Sequence, residues 1–388
     1  MNELPSQYQH SAQIANYARF PVEFVRGEGM YLYDAEGTAY LDMLSGLGVN
    51  SLGHCHPQVV EAIQRQAKTL LHSSNLYWTP QAERLAGRLV EMSFADKAFF
   101  CNSGAEAVEA AIKLARAHAY NAGSAARKIV VVERAFHGRT MGALSATPQE
   151  DKQAPFAPLV SGFQTVARDD AQALTLAVDE QTCAVLLEPI QGEGGVHVFS
   201  DEFLVAAREA CDRVGALLIF DEVQCGIGRT GKMFAHQHTP VEPDVLTLAK
   251  ALAGGLPIGA VLAAEHCSAA LKPGFHGSTF GGNPVSCAAA NAVLDVIESE
   301  DLLQNATVRG AQLATALVPL GQVQGRGLMQ GVTLTNRTDA REIVNKMLTE
   351  HHTLINATDD STLRFLPPLL ATPQHIDVAS TGLRHALT

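Results

Sequence analysis

The amino-acid sequence predicts an α/β fold, with a large domain on a mostly parallel sheet flanked by helices and a smaller α+β domain formed by both termini. Short apolar runs alternate with helical patterns through the middle of the chain. A hairpin pattern precedes this alternation, and a mixed helix and strand pattern follows it. At 388 residues, 47% hydrophobic and 18% charged, the chain exceeds one ordinary compact layer stack, so two domains are expected.

Met30-Tyr31-Leu32-Tyr33 and Tyr40-Leu41-Asp42-Met43 flank the turn Asp34-Ala35-Glu36-Gly37, an antiparallel hairpin signal. From Pro57, the residues Val59, Val60, Ile63, Ala67, Leu70 and Leu71 recur at helical spacing. Strands are expected at Ala98 to Cys101, Ile129 to Val132, Ala184 to Leu187, Ala216 to Phe220 and Val245 to Leu248. Their nearly continuous apolar character suits strands covered on both faces, whose ligands bind beyond the carboxyl ends. A long helix from Val285 to Glu300 then leads into strand candidates at Leu328 to Leu334 and Leu363 to Leu366. The large domain is placed at residues 61-284, and the small one at 1-60 with 285-388.

The net charge of −12, with no run of Lys or Arg, argues against nucleic acid or an anionic membrane as partner and leaves a small molecule. The seven cysteines are scattered and mostly in apolar stretches, as reduced core thiols are in the cytoplasm. The first ten residues have neither a basic start nor an apolar stretch, so no signal peptide is expected. Apolar runs are too short to cross a bilayer.

Candidate chemistry gathers after the strands. Asp221 ends a buried strand, where ionisation calls for a cationic partner. Lys250 follows Val245-Leu246-Thr247-Leu248 into dry surroundings, where a desolvated amine is a nucleophile. An Asp-Lys ion pair between adjacent strands is the alternative reading. Asn102-Ser103-Gly104-Ala105-Glu106 joins a strand to a helix, either as a phosphate cradle or as an ordinary N-cap with Glu106 completing a capping box. Phe136-His137-Gly138-Arg139-Thr140 offers a stacking ring and a carboxylate-gripping arginine, or a plain surface turn. Glu188-Pro189-Ile190-Gln191-Gly192-Glu193 lets backbone approach a ligand, and His276-Gly277-Ser278-Thr279 carries hydroxyls suited to phosphate. The pairs His54/His56 and His236/His238 lack metal-ligand spacing, so no metal is expected.

In order along nearly the whole chain, these blocks, with Phe220-Asp221-Glu222-Val223-Gln224 and Leu248-Ala249-Lys250, resemble the class-III aminotransferases of pyridoxal 5'-phosphate (PLP) fold type I. The resemblance implies that Lys250 carries PLP as an imine, that Asp221 pairs with the pyridinium nitrogen, and that Phe136 stacks on the ring. It implies phosphate contacts from Ser103, Gly104 and Ala105 of one subunit and Thr279 of the other, with Val223 and Gln224 near the ring hydroxyl. A homodimer with shared sites follows. Tyr17, Arg139, Glu193, Ser278 and Arg364 fall to substrate. Tyr17-Ala18-Arg19-Phe20-Pro21-Val22, Gly53-His54-Cys55-His56-Pro57 and Leu363-Arg364-Phe365-Leu366-Pro367-Pro368 are similar to members acting on N2-acetylornithine and 2-oxoglutarate in arginine biosynthesis. Arg139 would then take the distal carboxylate, Arg364 the carboxylate beside the reacting carbon, and Glu193 would mask Arg364 while the amine donor is bound. Leu47 stands where related ornithine enzymes carry a tyrosine, which favours an acylated donor. Succinylornithine, ornithine, 4-aminobutyrate and N-succinyl-diaminopimelate remain alternative donors, and a non-catalytic PLP-fold protein remains an alternative function.

Overall fold

The computed structural model describes residues 11–335 and 339–388; the expectation about a signal peptide falls on residues outside this range. Phe24–Glu28, Tyr31–Asp34 and Ala39–Asp42 form an antiparallel meander. Its expected second turn is closed by the Asp34 carboxylate, which accepts the Thr38 N–H at 2.8 Å, and by Gly37 at φ +87°. Thr353–Leu354, far along the chain, pairs in parallel with Leu41–Asp42, so the C-terminal region completes the N-terminal sheet.

The central sheet has seven strands in the order Lys97–Cys101, Gly259–Ala263, Val245–Leu248, Leu217–Asp221, Thr182–Leu187, Lys128–Val132 and Phe163–Val166. Only Gly259–Ala263 runs antiparallel to its neighbours. The five expected strands are present within a residue or two. Gly259–Ala263 and Phe163–Val166 were not expected.

The apolar strands are explained by the two layers they serve. Because side chains alternate across a strand, Val130, Val132, Leu218 and Phe220 join the core on one face, while Ile129, Val131, Leu217 and Ile219 join the core on the other. The helix Gly104–Asn121 covers the second face through Val108, Ala111, Ile112 and Ala115. On the first face, Asp201–Val214 contributes Phe203, Leu204 and Ala207. With both faces covered, the parallel strands deliver their carboxyl ends to one open edge.

Pro284–Ser299 packs against Pro57–Thr69 and Pro80–Glu91, so the expected domain boundaries at 60/61 and 284/285 fall in two helices in mutual contact. Beyond it, Gly321–Arg326, Met329–Leu334, Thr362–Phe365 and Asn356–Ala357 form an antiparallel sheet with Leu302–Leu317, Ala340–Thr349 and Pro373–Ala386 around it. Among the described residues no helix is long and apolar enough to cross a membrane. Six of the seven cysteines are buried, Cys55 is exposed, and all are free.

Candidate active site

A cavity of about 430 Å³ opens at the carboxyl edge of the central sheet, walled by Ser103, Phe136, Arg139, Asp221, Val223 and Lys250 among others. One wall is a helix start. Ser103 is the extended N-cap of Gly104–Asn121 and its hydroxyl accepts the Glu106 N–H at 3.2 Å. The N–H groups of Gly104 and Ala105 have no acceptor within the helix and form the positive end of its dipole, which suits an anion. The expected capping box is not formed: Glu106 Oε2 accepts from the backbone N–H and the side-chain amide of Asn102, at 2.7 and 2.8 Å. That carboxylate stiffens the turn instead of capping the Ser103 N–H. A Cβ on Gly104 would lie 2.7 Å from Val223 Cγ1, so the helix start and the post-strand loop meet where only glycine fits.

Asp221 ends its strand 3% exposed. Its Oδ1 accepts from Thr247 Oγ1 at 2.9 Å and Val223 N–H at 3.1 Å, and its Oδ2 lies 2.7 Å from His137 Nδ1. The group that faces Asp221 is therefore His137, and among the described residues Lys250 and Asp221 form no ion pair, against the alternative reading of the sequence. Burial opposes a charged imidazole, yet the hydrogen bond and charge of Asp221 outweigh it and hold His137 above its ordinary value. The other ring nitrogen of His137 is buried without a protein partner. Glu188, just past the Thr182–Leu187 strand, accepts the Phe136 N–H at 3.1 Å and the Gly192 N–H at 3.4 Å. Burial, with the charge of Asp221 adding, pushes its carboxyl up to about 7.

Lys250 begins the turn after Val245–Leu248. Desolvation lowers its amine below the ordinary lysine value; the Arg364 charge acts in the same sense, and Glu193, Asp221 and Glu188 oppose it. Arg364 is fully buried on the Thr362–Phe365 strand. Its Nη1 donates to Glu193 Oε1 at 2.6 Å and to Gln224 Oε1 at 3.0 Å, and its Nε donates to Asn356 Oδ1 at 2.9 Å. Burial alone would raise the Glu193 carboxyl, but the charge and hydrogen bond of Arg364 hold it low. Gln224 thus bridges Arg364 and Glu193, a contact that the resemblance did not imply. Arg139 is exposed at the mouth, its guanidinium 5.5 Å from the Phe136 ring centroid.

Not every expected residue converges. Tyr17 is exposed and outside the cavity wall, with the Arg19 guanidinium 5.4 Å from its ring centroid. Thr279 is exposed and does not line this cavity, while the Ser278 hydroxyl accepts from Asn102 Nδ2 at 3.1 Å. The histidine pairs are engaged structurally: His54 meets Asp42 at 2.8 Å and His236 meets Glu222 at 3.0 Å. Among the described residues no group of three or more His, Cys, Asp or Glu is arranged to hold a metal. Sequence reasoning missed His137, Thr247, Glu188 and Asn356 as parts of the site. His137 and Glu188 lay within quoted blocks, but nothing local tied either to Asp221.

An anion cradle, a dry carboxylate backed by a histidine, a partly desolvated amine and two arginines fit a flat, phosphorylated aromatic group with a basic ring nitrogen and a carbonyl. The unpartnered His137 nitrogen and the glycine-only approach at Gly104 fit it as well.

The family model for Aminotransferase class-III matches residues 12–387. The chain is 50% identical over 382 residues to acetylornithine aminotransferase of Methanocaldococcus jannaschii, covering 96% of this chain and 95% of that one. It is 48% identical over 380 residues to the protein of that name from Caldanaerobacter subterraneus, covering 96% of each. Among solved structures it superposes on ornithine aminotransferase from Toxoplasma gondii with TM-score 0.91 and 37% identity, over 98% of this chain and 92% of that one. N-acetylornithine aminotransferase from Stenotrophomonas maltophilia gives TM-score 0.83 and 35% identity over 96% of each chain.

Proposed function

Because the chain belongs to the class-III aminotransferase family, we propose that it moves the terminal amino group of N2-acetyl-L-ornithine to 2-oxoglutarate, yielding N-acetyl-L-glutamate 5-semialdehyde and L-glutamate in arginine biosynthesis. It is a PLP-dependent transaminase. The observation that carries the substrate reading is the pair of buried Arg364 and half-buried Glu193 near Lys250, with Arg139 exposed at the mouth and in no ion pair among the described residues.

PLP, when bound, supplies an electron sink for a substrate carbon that loses a proton. The residues divide the remaining work. Ser103, Gly104 and Ala105 receive the phosphate, joined by Thr279 of the partner subunit, and Phe136 stacks on the ring. Asp221, held by His137, Thr247 and Val223, keeps a proton on the ring nitrogen. Lys250 would hold the cofactor through its amine, and the same amine is placed to move the proton at the substrate carbon. Val223 and Gln224 border the ring hydroxyl.

Two substrates share this pocket, and their charges differ. Both present a carboxylate remote from the reacting carbon, for which Arg139 is available. Only glutamate or 2-oxoglutarate has a second carboxylate beside it, and that one needs Arg364. Glu193 neutralises Arg364 for the amine donor and must leave it for the dicarboxylate. Tyr17 and Ser278 belong to the substrate region of the assembled enzyme in this reading.

A homodimer is part of the same reading. Leu71, Leu76, Tyr77, Trp78 and Phe280 are exposed, an apolar set that a second copy would cover. Division into residues 61-284 against 1-60 with 285-388, and a cytoplasmic location favoured by the free buried thiols, are also proposed.

The test is spectral. Purified protein should be yellow, and N2-acetylornithine should convert its absorbance to that of the aminated cofactor faster than N-succinylornithine, ornithine, 4-aminobutyrate or N-succinyl-diaminopimelate does. A faster response to another donor would replace the substrate assignment.

A further inference from the structure

If Glu193 must leave Arg364, its carboxylate needs somewhere to go. The backbone around it has little freedom. A Cβ on Gly192 would overlap the Gln224 side chain, and one on Gly194 would lie 2.7 Å from Gln191 Oε1 and 3.1 Å from the Arg134 carbonyl oxygen. Arg168 Nη1 holds the Gly194 carbonyl at 3.0 Å. The carboxylate must therefore move by rotation of the side chain, over a few ångströms.

A second cavity of about 290 Å³ lies on that side, and Glu193 is in its wall together with Arg134, Thr358 and Asp359. The Glu193 side chain is 31% exposed, whereas its partner Arg364 is 1% exposed, so of the two it is the glutamate that has open space beside it. Two features of this cavity lack partners. Thr358 Oγ1 is buried with no hydrogen-bond partner, and the Arg134 guanidinium forms no ion pair among the described residues. The two other acids in the wall are already engaged: Asp359 Oδ1 accepts from the Ser361 N–H and hydroxyl, each at 2.9 Å, and Asp151 Oδ2 meets Lys152 Nζ at 3.4 Å. Thr358 also directly follows the strand Asn356–Ala357, whose Asn356 holds Arg364 Nε at 2.9 Å. One short segment thus carries both the residue that fixes the arginine and a hydroxyl without a use.

We propose that this cavity is the receiving site for the displaced Glu193 carboxylate, with the Thr358 hydroxyl and the Arg134 guanidinium as its partners when Arg364 binds a dicarboxylate. Thr358 and Arg134 are then positioning residues. They stabilise the open state of the gate and touch no substrate, and the inference rests on the gating role assigned to Glu193 above.

Titration calorimetry on the holoenzyme with two unreactive ligands tests it: glutarate, with carboxylates at both ends, and N-acetylnorvaline, with one. Thr358→Val and Arg134→Gln should each weaken glutarate about tenfold, the size expected for losing one hydrogen bond to a charged group. N-acetylnorvaline should bind all variants alike. In a Glu193→Ala background, where nothing needs to be received, neither substitution should alter glutarate affinity. If Glu193→Ala tightens glutarate but both single variants bind it as the parent does, the gate stands and the receiving site is refuted. If Glu193→Ala leaves glutarate affinity unchanged, the gate fails and this inference fails with it. Equal weakening of both ligands by Thr358→Val and Arg134→Gln would mark structural damage and would also overturn the proposal.

Discussion

Replacing His137 by Phe keeps an aromatic ring in a buried slot and removes the one side chain that meets Asp221 Oδ2 among the described residues. The backbone N–H of residue 137 keeps Thr147 Oγ1 at 2.9 Å, and the second ring nitrogen loses nothing because it has no partner. What disappears is one hydrogen bond between His137 and the Asp221 carboxylate at 2.7 Å in a dry site, and a bond to a carboxylate has a typical value of about 1.5–3 kcal/mol. If Asp221 acts by holding a proton on the cofactor, most of that value falls on catalysis, a drop in kcat/KM of order 10- to 100-fold. Thr247→Val is the internal control. It is nearly isosteric and leaves the Val223 N–H on the same carboxylate oxygen, so a loss of about 1 kcal/mol, or roughly fivefold, is expected. Both would be followed as half-reaction rates with N2-acetylornithine, with thermal midpoints measured beside them. His137→Phe enzyme that folds and works within twofold of the parent would refute the role given to the Asp221–His137 pair.

Three further outcomes follow from the same geometry. Glu188, raised to about 7 from 4.5, binds a proton in the folded state that the unfolded chain has lost, so its contribution to stability falls as pH rises from about 4.5 to 7; the cofactor-free protein should lose up to about 3 kcal/mol across that window, and Glu188→Gln should flatten the urea-denaturation profile there. Lys250, lowered from 10.5, does the opposite: the unfolded chain holds more protons below 10.5, so cofactor-free Lys250→Met should be more stable than the parent near neutral pH, with the advantage shrinking as pH approaches 10.5. Gly259→Ala would drive a methyl into the Ser103 carbonyl at the helix start; a loss of about 1–3 kcal/mol in the cofactor-free protein and weaker PLP binding by equilibrium dialysis are expected.

Of the five central-sheet strands legible in the sequence, four are buried on both faces, where continuous apolar runs need no alternation; Lys97–Cys101 lies at the sheet's edge, only Cys101 of it buried, and was legible from its apolar residues Ala98 to Cys101 alone. Phe163–Val166 escaped because, at one edge of the sheet, its middle residues Gln164 and Thr165 are polar and exposed, leaving no apolar run. Gly259–Ala263 escaped because Gly-Ala-Val-Leu-Ala is short and rich in small residues, and it inserts antiparallel between the strand just before it, Val245–Leu248, and the distant Lys97–Cys101. The same distinction runs through the site. Asp221 and Lys250 stand at strand ends and could be read locally. His137 meets Asp221 across 84 positions and Glu193 meets Arg364 across 171, so their partnership is a property of the folded sheet edge. Glu106 was read as half of a capping box from correct spacing, but its carboxylate reaches Asn102 rather than Ser103, a choice of rotamer that spacing does not encode.

The central claim is that the cofactor is attached through Lys250. Borohydride reduction of the yellow protein, followed by proteolysis and mass spectrometry, tests it most directly. A phosphopyridoxyl adduct is expected on the peptide containing Lys250, and none on that peptide from Lys250→Ala protein. An adduct confined to another lysine, or full turnover by the Lys250→Ala enzyme, would contradict it.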